Sequence, residues 1–92
     1  MDIEDGPTIV LYYLKDCGHC NALRPTWDEV KQMTTYVCLE IEKEDITKLP
    51  EHLQITIFPT IAIVRNGKIV TEYFGNRTKE SILTFIQSVQ SI

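Results

Sequence analysis

The feature that most constrains this chain is a change of period near residue 15. Thr8-Ile9-Val10-Leu11-Tyr12-Tyr13-Leu14 is an unbroken run of apolar, β-branched and aromatic side chains. Its length suits a strand buried on both faces and therefore central in a sheet. Lys15-Asp16 ends the run. From Gly18 onward, Cys20, Leu23, Trp27, Val30 and Thr34 recur at steps of three or four, which is one stripe of a helix. Pro25 falls inside that helix and removes the bond to the Asn21 carbonyl, which predicts a kink.

The junction between strand and helix carries Cys17-Gly18-His19-Cys20. A helix N-terminus holds partial positive charge and unpaired N–H groups, which favour a thiolate over a thiol. Cys17 is the exposed first residue of the turn, and Cys20 lies on the inward stripe. That arrangement offers an attacking nucleophile and a more buried resolving thiol. His19, between them, is a candidate cation and hydrogen-bond donor to Cys17. Thiols in such settings have pKa values lowered to roughly 3.5–7.5.

Half a zinc site is the other reading of the pair. Zinc takes four ligands, and the remaining candidates, Cys38, His19 and His52, show no metal-ligand spacing. A c-type haem site needs His directly after the second cysteine, where this chain has Asn21. A C-x-x-C beside a βαβ pattern in an intracellular chain reads as a dithiol redox motif. The expectation is accordingly no metal and no bound cofactor, since the electrons reside in the two sulfurs.

Further along, Val37, Leu39 and Ile41 alternate with the other residues within Tyr36–Glu42, which marks a second strand. Asp45 is a candidate cap for a short helix carrying Ile46, Leu49 and Leu53, with Pro50 interrupting it or starting its main turn. Thr60–Arg65 is a third strand. Asn66-Gly67 is the favoured two-residue hairpin turn, because both positions need positive φ. Lys68–Phe74 returns antiparallel. Thr78 is a plausible cap for a final helix with Ile82, Phe85, Ile86 and Val89 at helical spacing. The order β-α-β-α-β-β-α implies an α/β fold: a four-stranded mixed sheet flanked by helices on both faces. With 92 residues the chain is one domain, 1–92.

Composition narrows the function. A net charge of −4 disfavours nucleic acid as a partner, because phosphate contacts need a basic face. Three cysteines are an odd count that argues against a stapled secreted scaffold. The longest apolar run, Ile9 to Leu14, is far short of the roughly 18 residues that span a bilayer, so no membrane partner is expected. The acidic start, Met1 to Gly6, lacks secretory character, and Gln90-Ser91-Ile92 is no retrieval or lipidation signal. The expected compartment is the cytoplasm.

Four segments resemble the thioredoxin superfamily, and more closely the catalytic domains of protein disulfide isomerases. Cys17 to Trp27 is similar to the isomerase active-site segment, helix proline included. Ile57-Phe58-Pro59-Thr60 is similar to the family's cis-proline loop, and Ile63 to Lys68 to its hairpin. Tyr73-Phe74-Gly75-Asn76-Arg77 resembles the isomerase segment whose arginine approaches the second cysteine. The resemblance covers about residues 8–90. It implies a minimal thioredoxin fold with strand order 2-1-3-4, lacking the usual first strand and helix.

It also implies that Pro59 is cis, and that the Phe58 backbone lies beside Cys17, where it could pair with an extended substrate strand. Phe58 is then the chief exposed apolar contact for substrate, and Gly18 and Asp16, which flank Cys17, complete the substrate-contacting set. Arg77 is implied to swing toward Cys20 and stabilise its thiolate. Two departures stand out. Asp16 replaces the tryptophan that usually precedes the first cysteine, and its carboxylate opposes thiolate formation at Cys17. Leu11 occupies the place of the buried acid that takes the proton of the second cysteine. Glu40, on the neighbouring strand, is a candidate substitute base, against the plainer reading of a solvated strand glutamate. Cys38 reads as core and Trp27 as helix packing.

The function implied is a thiol–disulfide oxidoreductase acting on protein disulfides or thiols through Cys17 and Cys20. A thioredoxin reductase or glutathione is the implied electron partner. Alternatives are a glutaredoxin-like, glutathione-dependent reductase and a non-catalytic binding module using the Phe58 groove.

Overall fold

The computed structural model describes residues 7–88. Val89 and the two terminal segments read above lie outside the described residues. The elements run β1 (Thr8–Tyr13), α1 (Gly18–Met33), β2 (Val37–Glu42), α2 (Lys43–Ile46), a 3-10 turn (Glu51–Leu53), β3 (Thr60–Arg65), β4 (Lys68–Tyr73) and α3 (Lys79–Ser88). The strands form one sheet in the order β2-β1-β3-β4. β1 pairs parallel with β2 and antiparallel with β3, and β3 pairs antiparallel with β4. β1 is thus central, as its continuous apolar run requires.

Alternation along β1 divides the core in two. Ile9 and Leu11 face α1 and α3, packing with Leu23, Trp27, Val30, Ile63, Ile82 and Ile86. Val10 and Tyr12 face the other side, with Ile46 and Ala62. The Tyr12 hydroxyl donates to the Leu53 carbonyl at 3.0 Å, which ties the 3-10 turn to the sheet. Asn66 and Gly67 both have positive φ, 55° and 77°, and close the β3–β4 hairpin as the dipeptide predicts. Thr78 caps α3, its Oγ1 accepting from the Ser81 N–H at 3.2 Å.

α1 runs through Pro25 to Met33. One local expectation needs correction. The expected second helix is one α turn plus a 3-10 turn; Asp45 sits inside the first and binds Lys48 instead of capping it. On β2, Val37 and Leu39 are exposed, and Cys38 packs toward the α1-side core. A four-residue α2 is too short to cover this edge strand, so only Ile41 finds partners there. Among the described residues, no helix is long and apolar enough to cross a membrane.

Candidate active site

The site sits where the central strand hands over to α1. Asp16 adopts a left-handed φ of 59°, which turns the chain out of the sheet. Cys17 is then the N-cap of α1, in extended conformation, and its carbonyl accepts from the Asn21 N–H at 2.9 Å. The first turn of α1 carries no acidic side chain to compete for its N-terminal charge. Cys17 is half-buried and Cys20, one turn in, is 6% exposed.

The two thiols are pushed in opposite directions. The Cys20 N–H, then the Cys20 thiol, lower the Cys17 pKa below the ordinary thiol range; burial opposes them, and the His19 N–H and the Arg77 charge add to the lowering. Burial raises the Cys20 pKa, and hydrogen bonding to Cys17 adds to that. The Leu14 N–H, 3.4 Å from its sulfur, and Arg77 pull the other way. Position on one helix turn thus separates a nucleophile from a resolving thiol. His19 contributes through its backbone.

Beside the pair, the Phe58–Pro59 peptide is cis. Thr60 is buried, and its hydroxyl donates to the Ile57 carbonyl at 2.6 Å, closing the loop on itself. A groove of about 120 Å³ opens next to this loop, lined by Leu23, Ile57, Pro59, Tyr73, Phe74 and Arg77 among others. Gly75, on its rim, leaves room for the Tyr73 side chain: a Cβ there would lie 2.7 Å from the Tyr73 hydroxyl. That hydroxyl donates to the Asn76 carbonyl, and the Tyr73 ring packs on Phe85 with centroids 4.9 Å apart. Arg77 also lines a depression with His19, Ala22 and Leu23. The structure therefore brings Cys17, Cys20, His19, Pro59 and Arg77 to one end of the sheet.

Phe58 does not join them. Its side chain packs into the opposite core, against the cluster of Val10, Tyr12, Ile46 and Ala62. Exposed apolar surface falls instead to its neighbour Ile57, 67% exposed, and to Phe74, 78% exposed. The segment alternates, so when Phe58 turns inward, the residue before it turns outward. Nothing in the sequence distinguished the two apolar neighbours. Asp16 is also absent from this groove and lines a different cavity with Glu42. Gly18 is exposed at the helix start, with no atom within 4 Å of the place a Cβ would take.

Glu40 is the clearest correction. It pairs in register with Leu11, as expected. Its carboxylate, however, accepts from Arg24, from the Trp27 indole N–H at 2.9 Å and from the Lys31 ammonium at 2.7 Å. Burial raises its pKa, but hydrogen bonds from Lys31, Arg24 and Trp27 outweigh burial and hold it at about 2. A carboxylate held at so low a pKa by three donors lacks the basicity to take a proton from Cys20. Arg24 also lies over the Tyr13 ring, 5.1 Å from its centroid. The cluster is an anchor fastening α1 to the edge strand.

Cys38 is half-buried, and burial pushes its thiol pKa up, which fits packing and not reactivity. His52 bonds the Gly67 carbonyl at 3.0 Å. Among the described residues, no three His, Cys, Asp or Glu side chains are grouped to hold a metal ion.

A family profile described as thioredoxin matches residues 1–88. The chain belongs to the thioredoxin family. Bloodstream-specific protein 2 of Trypanosoma brucei brucei is 33% identical over 82 residues, covering 87% of this chain and 16% of that protein. Protein disulfide-isomerase 2-3 of Arabidopsis thaliana is 32% identical over 84 residues, covering 89% of this chain and 19% of that protein. The chain thus spans less than a fifth of the length of these two curated relatives. Among solved structures, the J-Trx1 fragment of ERdj5 superposes with a TM-score of 0.76 at 28% identity, covering 89% of this chain and 42% of that one. The described residues form the α/β thioredoxin fold, a four-stranded mixed sheet with flanking helices.

Proposed function

We propose that the chain catalyses thiol–disulfide exchange on protein substrates. The observation that carries this reading is the opposite displacement of the two thiols across one turn of α1. The Cys17 thiolate attacks one sulfur of a substrate disulfide. A mixed disulfide forms, and the other substrate sulfur leaves as a thiolate, taking a proton from solvent. Cys20 then loses its proton and attacks Cys17. The Cys17–Cys20 disulfide forms and the reduced substrate departs. Run in reverse, the same steps oxidise a dithiol.

Arg77 lowers the pKa of both cysteines, so its charge favours each thiolate as it forms. The groove of Ile57, Phe74 and Pro59 is the proposed seat for an extended substrate segment. A thioredoxin reductase or glutathione is the proposed electron partner.

Insulin reduction by dithiothreitol tests the assignment. The native chain accelerates precipitation of the reduced chains, Cys17→Ser abolishes the effect, and Cys20→Ser leaves a mixed disulfide at Cys17. Undiminished activity of Cys17→Ser overturns the reading. Turnover of glutathione mixed disulfides without insulin reduction would transfer it to a glutaredoxin-like reaction.

A further inference from the structure

With Leu11 apolar and Glu40 fully engaged, the proton of Cys20 needs another acceptor. Glu42, the last residue of β2, is 8% exposed. Glu42 and Thr60 are the buried polar side chains among the described residues, and Thr60 is satisfied by the Ile57 carbonyl. No hydrogen bond or ion pair reaches the Glu42 carboxylate among the described residues. Folding strongly disfavours a buried carboxylate without a partner, so one that is retained marks a candidate working group.

Its place matches the task. α1 crosses back over the sheet between two parallel strands, so it runs opposite to β2. Arg24, Trp27 and Lys31 of α1 all reach Glu40. One helical turn from Arg24 toward the start of α1, about 6 Å, stands Cys20. Two residues from Glu40 toward the end of β2, about 6.6 Å, stands Glu42, on the same face of the strand. The two steps run the same way along the molecule and bring Cys20 and Glu42 level.

Leu14 joins them. Its N–H is bonded to the Cys20 sulfur, and it lines a cavity of about 420 Å³ with Lys15, Asp16, Glu42, Lys43, Glu44 and Thr47. The charged side chains of Lys15, Asp16, Lys43 and Glu44 rim it and it opens to solvent, so water reaches it.

We propose that Glu42 is the proton acceptor for Cys20, acting through water in this cavity. The proposal rests on the exchange reading above. Once Cys17 holds the substrate sulfur, the Cys20 S–H proton passes through water to the Glu42 carboxylate. The Cys20 electron pair forms the bond to Cys17 Sγ, the Cys17–substrate bond breaks, and the leaving substrate thiolate takes a proton back from Glu42 or from solvent. The charged groups around the cavity are Lys15 and Asp16 from the loop before α1 and Lys43 and Glu44 from α2. Tyr13 is the register partner of Glu42 on β1, and Arg24 from α1, above that ring, is committed to Glu40.

The test separates the two chemical steps in the full chain. Attack is timed as mixed-disulfide formation with a disulfide-linked peptide in a Cys20→Ser background. Resolution is timed by acid quench of the mixed disulfide with Cys20 present. Glu42→Gln should slow resolution at pH 7 about tenfold or more and leave attack within about twofold. The deficit should shrink as pH rises, and imidazole should rescue it. Should Glu42→Gln fail to fold, Glu42→Asp serves: the shorter carboxylate should slow resolution alone and keep the native pH profile. Unchanged resolution in either folded variant, or equal slowing of both steps at every pH, overturns the proposal. Absence of any mixed disulfide at Cys17 in the Cys20→Ser chain overturns the exchange reading itself.

Discussion

Glu40 and Glu42 stand two residues apart on the same face of β2, yet their surroundings give them opposite tasks. Glu40 accepts from three donors on α1 and has its pKa held at about 2. Glu42 is more deeply buried and has no partner among the described residues. The difference comes from α1. Arg24, Trp27 and Lys31 lie at steps of three and four, so one helix stripe delivers two cations and an indole N–H to a single strand position. One turn earlier that stripe holds Cys20, which has a proton to give up. A carboxylate's role in this fold follows from what the facing helix turn presents.

Removing the anchor should have the largest effect. Glu40→Ala leaves Arg24, Lys31 and the Trp27 N–H without their acceptor, and should cost about 2 kcal/mol in chemical denaturation. Exchange rates should stay within about twofold. A folded Glu40 variant with a tenfold loss in exchange would break the contrast between the two carboxylates. The same contact has an acid signature. Because the folded pKa of Glu40 is depressed, its contribution is fully present above the ordinary carboxylate pKa. It is lost as pH falls from about 4.5 toward about 2. That loss should amount to about 1–2 kcal/mol after allowance for solvent screening, and Glu40→Gln should lack it.

Arg77 gives a smaller effect that sharpens the comparison from the other side of the site. Its charge lowers the pKa of both cysteines, although it belongs to the segment before α3 and not to β2. Arg77→Gln should move the pH dependence of Cys17 alkylation upward and leave stability near the native value. A downward shift, or none, would remove Arg77 from the thiolate environment.

The sequence made the fold legible where periodicity was strong. The Thr8–Leu14 run, the Cys20-to-Thr34 stripe and the Asn66-Gly67 turn each fixed an element, and the cysteine pair fell where a helix N-terminus acts on it. It was misleading where coverage decides orientation. Val37 and Leu39 alternate like core residues, but a single-turn α2 cannot cover them. Phe58 and Ile57 are adjacent and both apolar, and only the fold shows that Phe58 packs inward while Ile57 faces solvent. The site was half legible for the same reason. Cys17 and Cys20 announce their roles by spacing. The partners of Glu40 lie 9 to 16 residues away in sequence, and nothing in the local sequence separates Glu40, which has them, from Glu42, which has none among the described residues.

The central claim is the division of labour between Cys17 and Cys20, and site-resolved alkylation of the reduced native chain tests it most directly. Iodoacetamide labelling, followed by mass spectrometry from pH 4 to pH 10 on the order of one unit per step, reads both thiols at once. Cys17 should be labelled first, with a midpoint below that of a free cysteine, and Cys20 only at higher pH or after unfolding. Preferential labelling of Cys20, or a Cys17 midpoint at or above that of a free thiol, would contradict the account.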